Sequence, residues 1–206
     1  MEAHSDATVS DQKFKSMIDL MNKEDWELVK CEDNVVTERK FLENSDIACF
    51  RSSGFVEANP EDLLEYVSKI YDSFESVKQY DNDVIKYEVV EQLSDESRLC
   101  YQVNSMPWRI WARDVLYIQM VKKKGNNYWL FMHSVESPIR PLQNDQYVRA
   151  VINVSAYGFV PENDGCRVYR VAHINPGGLI PISVINNYAD KTATVIKRLQ
   201  QIYPPN

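Results

Sequence analysis

The sequence predicts an α+β fold in which a strongly curved antiparallel sheet closes around one long C-terminal helix. Two observations carry the prediction. Residues 173–203 read HINPGGLIPISVINNYADKTATVIKRLQQIY, a Pro-Gly-Gly turn followed by a proline suited to the first helical position. Beyond it Val184, Ile185, Tyr188, Ala189, Val195, Ile196, Leu199 and Ile202 keep the three-and-four spacing of one helical face, with Thr192 bridging the gap. Such a helix has about 22 residues and spans roughly 33 Å. Its apolar face needs a large partner, and most of the preceding chain alternates with period two, as strands do.

In chain order, residues 1–10 are polar and expected to be disordered, leaving 11–206 as a single domain. Phe14, Met17, Ile18 and Met21 mark a short helix. Strands are expected from Trp26, over 35–41 and over 46–51. Asn59 and Pro60 then start a helix, as cap and first residue, with Glu61 and Asp62 at its positive end. Leu63, Leu64, Val67, Ile70, Tyr71 and Phe74 form its apolar face, and it is expected to end near Ser76. Strands resume around Ile85, Tyr87 and Val89, and around Leu99, Tyr101 and Val103. Residues 115–121 and 128–135 pair through the Gly125-Asn126-Asn127 turn, and 146–157 and 167–174 pair across Pro161 to Gly165.

Composition narrows the function. With 206 residues, 44% of them hydrophobic and 26% charged, the chain suits one soluble globular domain. Its net charge of −7 argues against a nucleic-acid partner. No apolar run reaches the roughly 18 residues of a membrane span, and the first residues lack the pattern of a secretory signal. The four scattered cysteines read as reduced thiols of a cytoplasmic protein. The three histidines show no metal-ligand spacing, and His133 and His173 read as structural hydrogen-bonders in strands. No nucleophile motif, P-loop or dinucleotide fingerprint is present, so neither enzyme chemistry nor a metal or cofactor is expected. Arg113-Asp114 reads as a structural ion pair holding a loop.

Two links are unusually apolar. Met106-Pro107-Trp108-Arg109-Ile110-Trp111 and Gly178-Leu179-Ile180-Pro181-Ile182 either tuck into the core or meet a membrane.

Several motifs together resemble the START lipid-transfer domains. They are Arg113-Asp114-Val115 opening a strand, Ser134-Val135, Val148-Arg149-Ala150, and Asn175-Pro176-Gly177-Gly178 with Pro181 before the last helix. The resemblance runs from about Trp26 to the end and is strongest to the family's ceramide-carrying and phosphatidylcholine-carrying members. It implies a helix-grip fold with a tunnel for one lipid between sheet and terminal helix, and no cofactor or metal. Gln102 matches a glutamine that bonds the lipid's polar end in ceramide carriers, and Asp81 an acidic partner. Val77 replaces an arginine, Met132 or His133 (depending on a one-residue gap) an asparagine, and Arg170 a tyrosine. Gln102 and Gln119 stand where sterol carriers place an acid and an arginine, which disfavours a sterol. Trp108 matches a membrane-inserting tryptophan, and Ile110, Trp111, Leu179 and Ile180 extend that docking surface. Val184, Ile185 and Tyr188 belong to the helix expected to act as the lid.

The resemblance thus implies a monomeric lipid-transfer protein, cytoplasmic and transiently at membrane surfaces, carrying a phospholipid or ceramide. Two rivals stand beside it: a helix-grip enzyme of the cyclase or hydratase kind, needing a histidine or Asp81 in the cavity, and a lipid sensor that does not transfer.

Overall fold

The computed structural model describes residues 2–107, 110–142, 145–181, 185 and 189–204. Its strands are β1 (Glu27–Glu32), β2 (Val35–Phe41), β3 (Ala48–Val56), β4 (Val84–Ser94), β5 (Ser97–Asn104), β6 (Arg113–Lys124), β7 (Asn127–Ser134), β8 (Val148–Arg149), β9 (Val151–Glu162) and β10 (Gly165–Asn175). They form one sheet in the order β1-β2-β3-β10-β9-β7-β6-β5-β4, antiparallel throughout, with β8 added parallel to β6. The helices are α1 (Glu2–Met21), α2 (Pro60–Ile70), α3 (Phe74–Tyr80) and α4 (Ala189–Ile202).

Both faces of the sheet are covered, and β6 shows why. Val115 and Tyr117 face a core shared with α2 and α4, while Leu116, Ile118 and Met120 face a second core under α1. Ile185 is helical, and α4 presents Val195, Ile196 and Leu199 to the inner face with no exposed surface. Gly54 of β3 lets it approach, because a Cβ there would stand 2.7 Å from Ile196 Cγ2. Thr192 bridges the apolar stripe through a chain of buried hydroxyls, bonding Ser52 (2.7 Å), which bonds Thr37 (2.9 Å). Ile202, expected on the same face, is 43% exposed.

The first residues depart from expectation. Helix α1 begins at Glu2, within the stretch expected to be disordered. It is tied down by side chains: Ser10 is buried against His133, and Phe14 meets Phe131 edge-on at 5.7 Å. The helix starting at Pro60 ends at Ile70 rather than near Ser76, because Ser73 caps a new helix, its Oγ accepting from Ser76 N (3.1 Å). The strand expected over 146–157 breaks at Ala150, whose N–H donates to Asp114 O, so that Val148 and Arg149 pair with β6 alone. Asp33 and Asn34, both with positive φ, make the tight β1–β2 turn that the strand pattern did not mark.

Candidate functional site

Between the inner face of the sheet, the α3–β4 connection and the terminal helix lies a cavity of about 410 Å³. Phe50, Val115, Ala150, Ile152, Ile180 and Ile185 give it an apolar wall. Its polar groups gather around Arg170, with Tyr71, Tyr80 and Tyr157 beside it. Alternation along β10 turns Val168, Arg170, Ala172 and Ile174 to the inner face.

Arg170 is the dominant charge of the site. Its guanidinium lies 4.4 Å over the Tyr157 ring, and Nη1 donates to the carbonyls of Ala156 (3.3 Å) and Val171. Tyr157 in turn shares a 2.9 Å hydrogen bond with Tyr71. Burial pushes the Tyr71 and Tyr80 phenols well above their usual range, so both are neutral. Burial also works against the Arg170 charge, but the nearby tyrosine oxygens outweigh it and the guanidinium stays protonated. Among the described residues no carboxylate lies within ion-pairing distance of it. The surface Arg170 retains faces the cavity, deep within the protein.

The other expected head-group residues divide. Gln102 and Met132 line the cavity, as does Asp81. Gln102 Nε2 donates to Asn104 Oδ1 (2.9 Å), and its Oε1 accepts from Tyr117 (3.4 Å). Asp81 already pairs with Lys191 of α4 (3.5 Å), which also pairs with Asp83. Gln119 and His133 do not reach the cavity. Gln119 is buried beyond Tyr117, its amide oxygen 4.0 Å from Cys100 Sγ. His133 follows Met132 and so faces the other side of the sheet, 2.8 Å from Ser10 Oγ and 3.4 Å from Lys13 Nζ.

The family model described as "START domain" matches residues 7–200. The chain belongs to the START domain family. The human "Ceramide transfer protein" is 30% identical over 131 residues, which cover 54% of this chain and 21% of that protein. The Cricetulus griseus protein of the same name is 26% identical over 198 residues, covering 85% of this chain and 32% of that one. The chain therefore spans about a third or less of these relatives' length. Among solved structures, human StAR-related lipid transfer protein 5 superposes with a TM-score of 0.80 at 16% identity, over 96% of this chain and 95% of that one. A STAR-related lipid transfer protein fragment from Xanthomonas axonopodis does so at 0.71 and 24%, over 87% and 99%. These likenesses establish the helix-grip fold.

The START motifs do their work at the cavity's rim. Arg113 and Asp114 were expected to pair with each other, but neighbours in a strand point to opposite faces. Arg113 turns inward and donates to the carbonyls of Pro176 and Gly177 (both 3.0 Å), holding the loop ahead of the terminal helix. Gly177 and Gly178 both have positive φ, and a Cβ on Gly177 would stand 2.8 Å from Arg149 O. Asp114, almost fully buried, accepts two bonds from Arg149 (3.0 and 2.8 Å) and one from Tyr101 (3.2 Å). Removing Arg149 leaves that carboxylate buried and uncompensated. Arg149→Met is expected to cost about 3–5 kcal/mol in denaturant unfolding, and a loss below about 1 kcal/mol would show the pair to be structurally idle.

The apolar links of this START domain divide likewise. Leu179 is fully exposed and Trp111 is 53% exposed, with Ile110 partly so. Ile180 was expected at the membrane but is buried in the cavity wall, because the glycine turn points consecutive side chains in different directions. Trp108, Val184 and Tyr188 lie outside the described residues. The tyrosines around Arg170 were not anticipated as site residues; the only sequence signal for Tyr157 was its alternation with Ala156 and Gly158 on a strand.

His173 also lies off the cavity, on the α1 side, near Ser45 Oγ (3.2 Å) and Asn153 Nδ2 (3.4 Å). Burial lowers its pKa from the free value of 6.5. The unfolded chain therefore takes up a proton before the folded one does. The stability this contributes is complete above the free value and is lost as pH falls towards the lower folded value. Melting temperatures should decline over this window, and His173→Gln should flatten the decline. Parallel profiles for the two proteins would assign the acid sensitivity to other groups.

Proposed function

We propose that this START domain takes up one polar membrane lipid in the cavity and carries it between membranes, and that the lipid is a phospholipid whose phosphate meets Arg170. The observation that carries this reading is the inward-facing guanidinium without a carboxylate partner. Its fork suits a phosphate, offering paired charge-assisted bonds that a neutral ceramide hydroxyl answers only in part. Gln102 supplies a neutral donor and acceptor nearby. Ceramide is the second reading, favoured by the name of the relatives and by Gln102. The cavity lining holds a carboxylate at Asp81 but no histidine among the described residues, which gives the enzyme reading little to work with.

Acyl chains gain about 0.8 kcal/mol per buried CH₂ in the cavity, but the bilayer returns the same amount, so selection rests with the polar end. Transfer of labelled phosphatidylcholine, phosphatidylglycerol and ceramide by the wild type and Arg170→Met tests the assignment. Selective loss of phospholipid transfer is expected; equal rates for all three lipids in both proteins would sink it.

No helix among the described residues is long and apolar enough to cross a membrane, so contact is proposed to be peripheral, through Leu179 and Trp111. Because both side chains are already exposed, Trp111→Ser with Leu179→Ser should leave the melting temperature within about 2 °C of wild type. Vesicle binding and transfer should fall severalfold in the same variant. Unchanged transfer would move the docking surface elsewhere.

A further inference from the structure

The charge around the cavity says more about the head group than that it holds a phosphate. The whole chain is acidic, with a net charge of −7, yet the described residues lining the cavity include three cations (Arg113, Arg170 and Lys191) and only two carboxylates (Asp81 and Asp83). Both carboxylates are engaged by Lys191, and Arg113 is committed to the carbonyls of the glycine loop. Arg170 alone is left with carbonyls and a ring face in place of a counter-charge. A buried cation in that position is costly until an anion joins it.

A zwitterionic head group would bring the anion together with a cation of its own. Choline or ethanolamine needs either a carboxylate or an open aromatic face. The carboxylates are taken, and two of the rings beside Arg170 already face a cation: Arg170 lies over Tyr157 and Arg198 lies 5.0 Å over Tyr80. Tyr71 is flanked by the rings of Tyr87 and Tyr157. Around Arg170 the described residues offer a negative head group a cation without a carboxylate partner, and offer a positive one no unpaired carboxylate.

We infer that the preferred cargo is a phospholipid of net negative charge, a phosphate bare or bearing a neutral polyol, with Arg170 as its counter-ion. This rests on the phospholipid-transfer reading above and sharpens it. It also predicts discrimination against the commonest phospholipids of a bilayer, which a simple phosphate contact would not give.

The test is lipid extraction. Wild-type protein is incubated with vesicles of equal parts phosphatidylcholine, phosphatidylethanolamine, phosphatidylglycerol and phosphatidic acid, re-isolated, and its bound lipids quantified by mass spectrometry. The anionic lipids should be enriched roughly tenfold over phosphatidylcholine relative to the vesicle. The enrichment should persist in about 1 M salt, where exposed charges are screened but a buried pair is not. It should be lost in Arg170→Met and partly kept in Arg170→Lys. Phosphatidylcholine bound at or above its share in the vesicle would overturn the inference while leaving lipid transfer standing. Enrichment that vanishes at high salt would overturn it too, by assigning the preference to the surface. If no lipid of any kind is extracted, the transfer reading itself fails and this inference with it. The wild-type composition decides the matter even if a variant folds poorly.

Discussion

A carboxylate sealed at the mouth of a central strand is the constraint on which the site depends. Asp114 has almost no contact with solvent, and a lone charge there would be prohibitive. Arg149 meets it through two bonds, and to do so the chain before β9 must run alongside β6 for two residues and then turn away. That detour brings Arg149's carbonyl against Gly177, where no side chain fits. Arg113, one residue before the buried acid, faces inward and fastens the same loop by its carbonyls. Motifs some thirty residues apart in sequence thus describe one junction, which fastens the loop ahead of the terminal helix.

The cavity's chemistry follows from what that junction leaves unused. Cations at the rim are matched to carbonyls or acids, and hydroxyls near the helix are matched to one another. Arg170 is the exception. Strands ordinarily keep such a side chain out of an apolar interior, and the phenols of Tyr71 and Tyr80, held neutral by burial, cannot supply a charge to answer it. The arrangement is consistent with a site whose electrostatic balance is completed by its ligand, so binding strength and head-group choice share one origin.

The fold was legible because its signals are local. Period-two segments and a terminal amphipathic helix survive in sequence whatever packs against them, whereas alternation put Arg170 on one face with Val168 and Ala172 without saying that this face was the inner one. The errors came where distant contacts override local pattern. The polar first stretch is helical, and Ser10 at its end shares a hydrogen bond with His133, far along the chain. Gln119 shares a face with Tyr117 but lies two residues further along β6, outside the cavity lining. Met132 and His133 were alternatives that depended on a one-residue gap, and one residue of register sends them to opposite faces. Arg113 and Asp114 illustrate the opposite trap, since adjacency in sequence suggested a pair that strand geometry forbids.

The terminal helix is held unevenly, and this bears on how a lipid could leave. Its later turns bury Val195, Ile196 and Leu199 completely, each worth about 1.5–3 kcal/mol. Between those turns and its start, Thr192 joins a buried chain of hydroxyls whose members would lose partners if the helix moved. One residue earlier, Lys191 meets Asp81 and Asp83 where all three side chains are substantially exposed. Exposed pairs of that kind contribute only about 0–1 kcal/mol and weaken with salt. Among the described residues of α4, the exposed contacts of Lys191 are therefore weaker than the buried ones from Thr192 to Leu199. The loop that Arg113 fastens ahead of the helix carries exposed Leu179, so the proposed membrane contact lies on the same side of α4 in sequence as these weaker contacts.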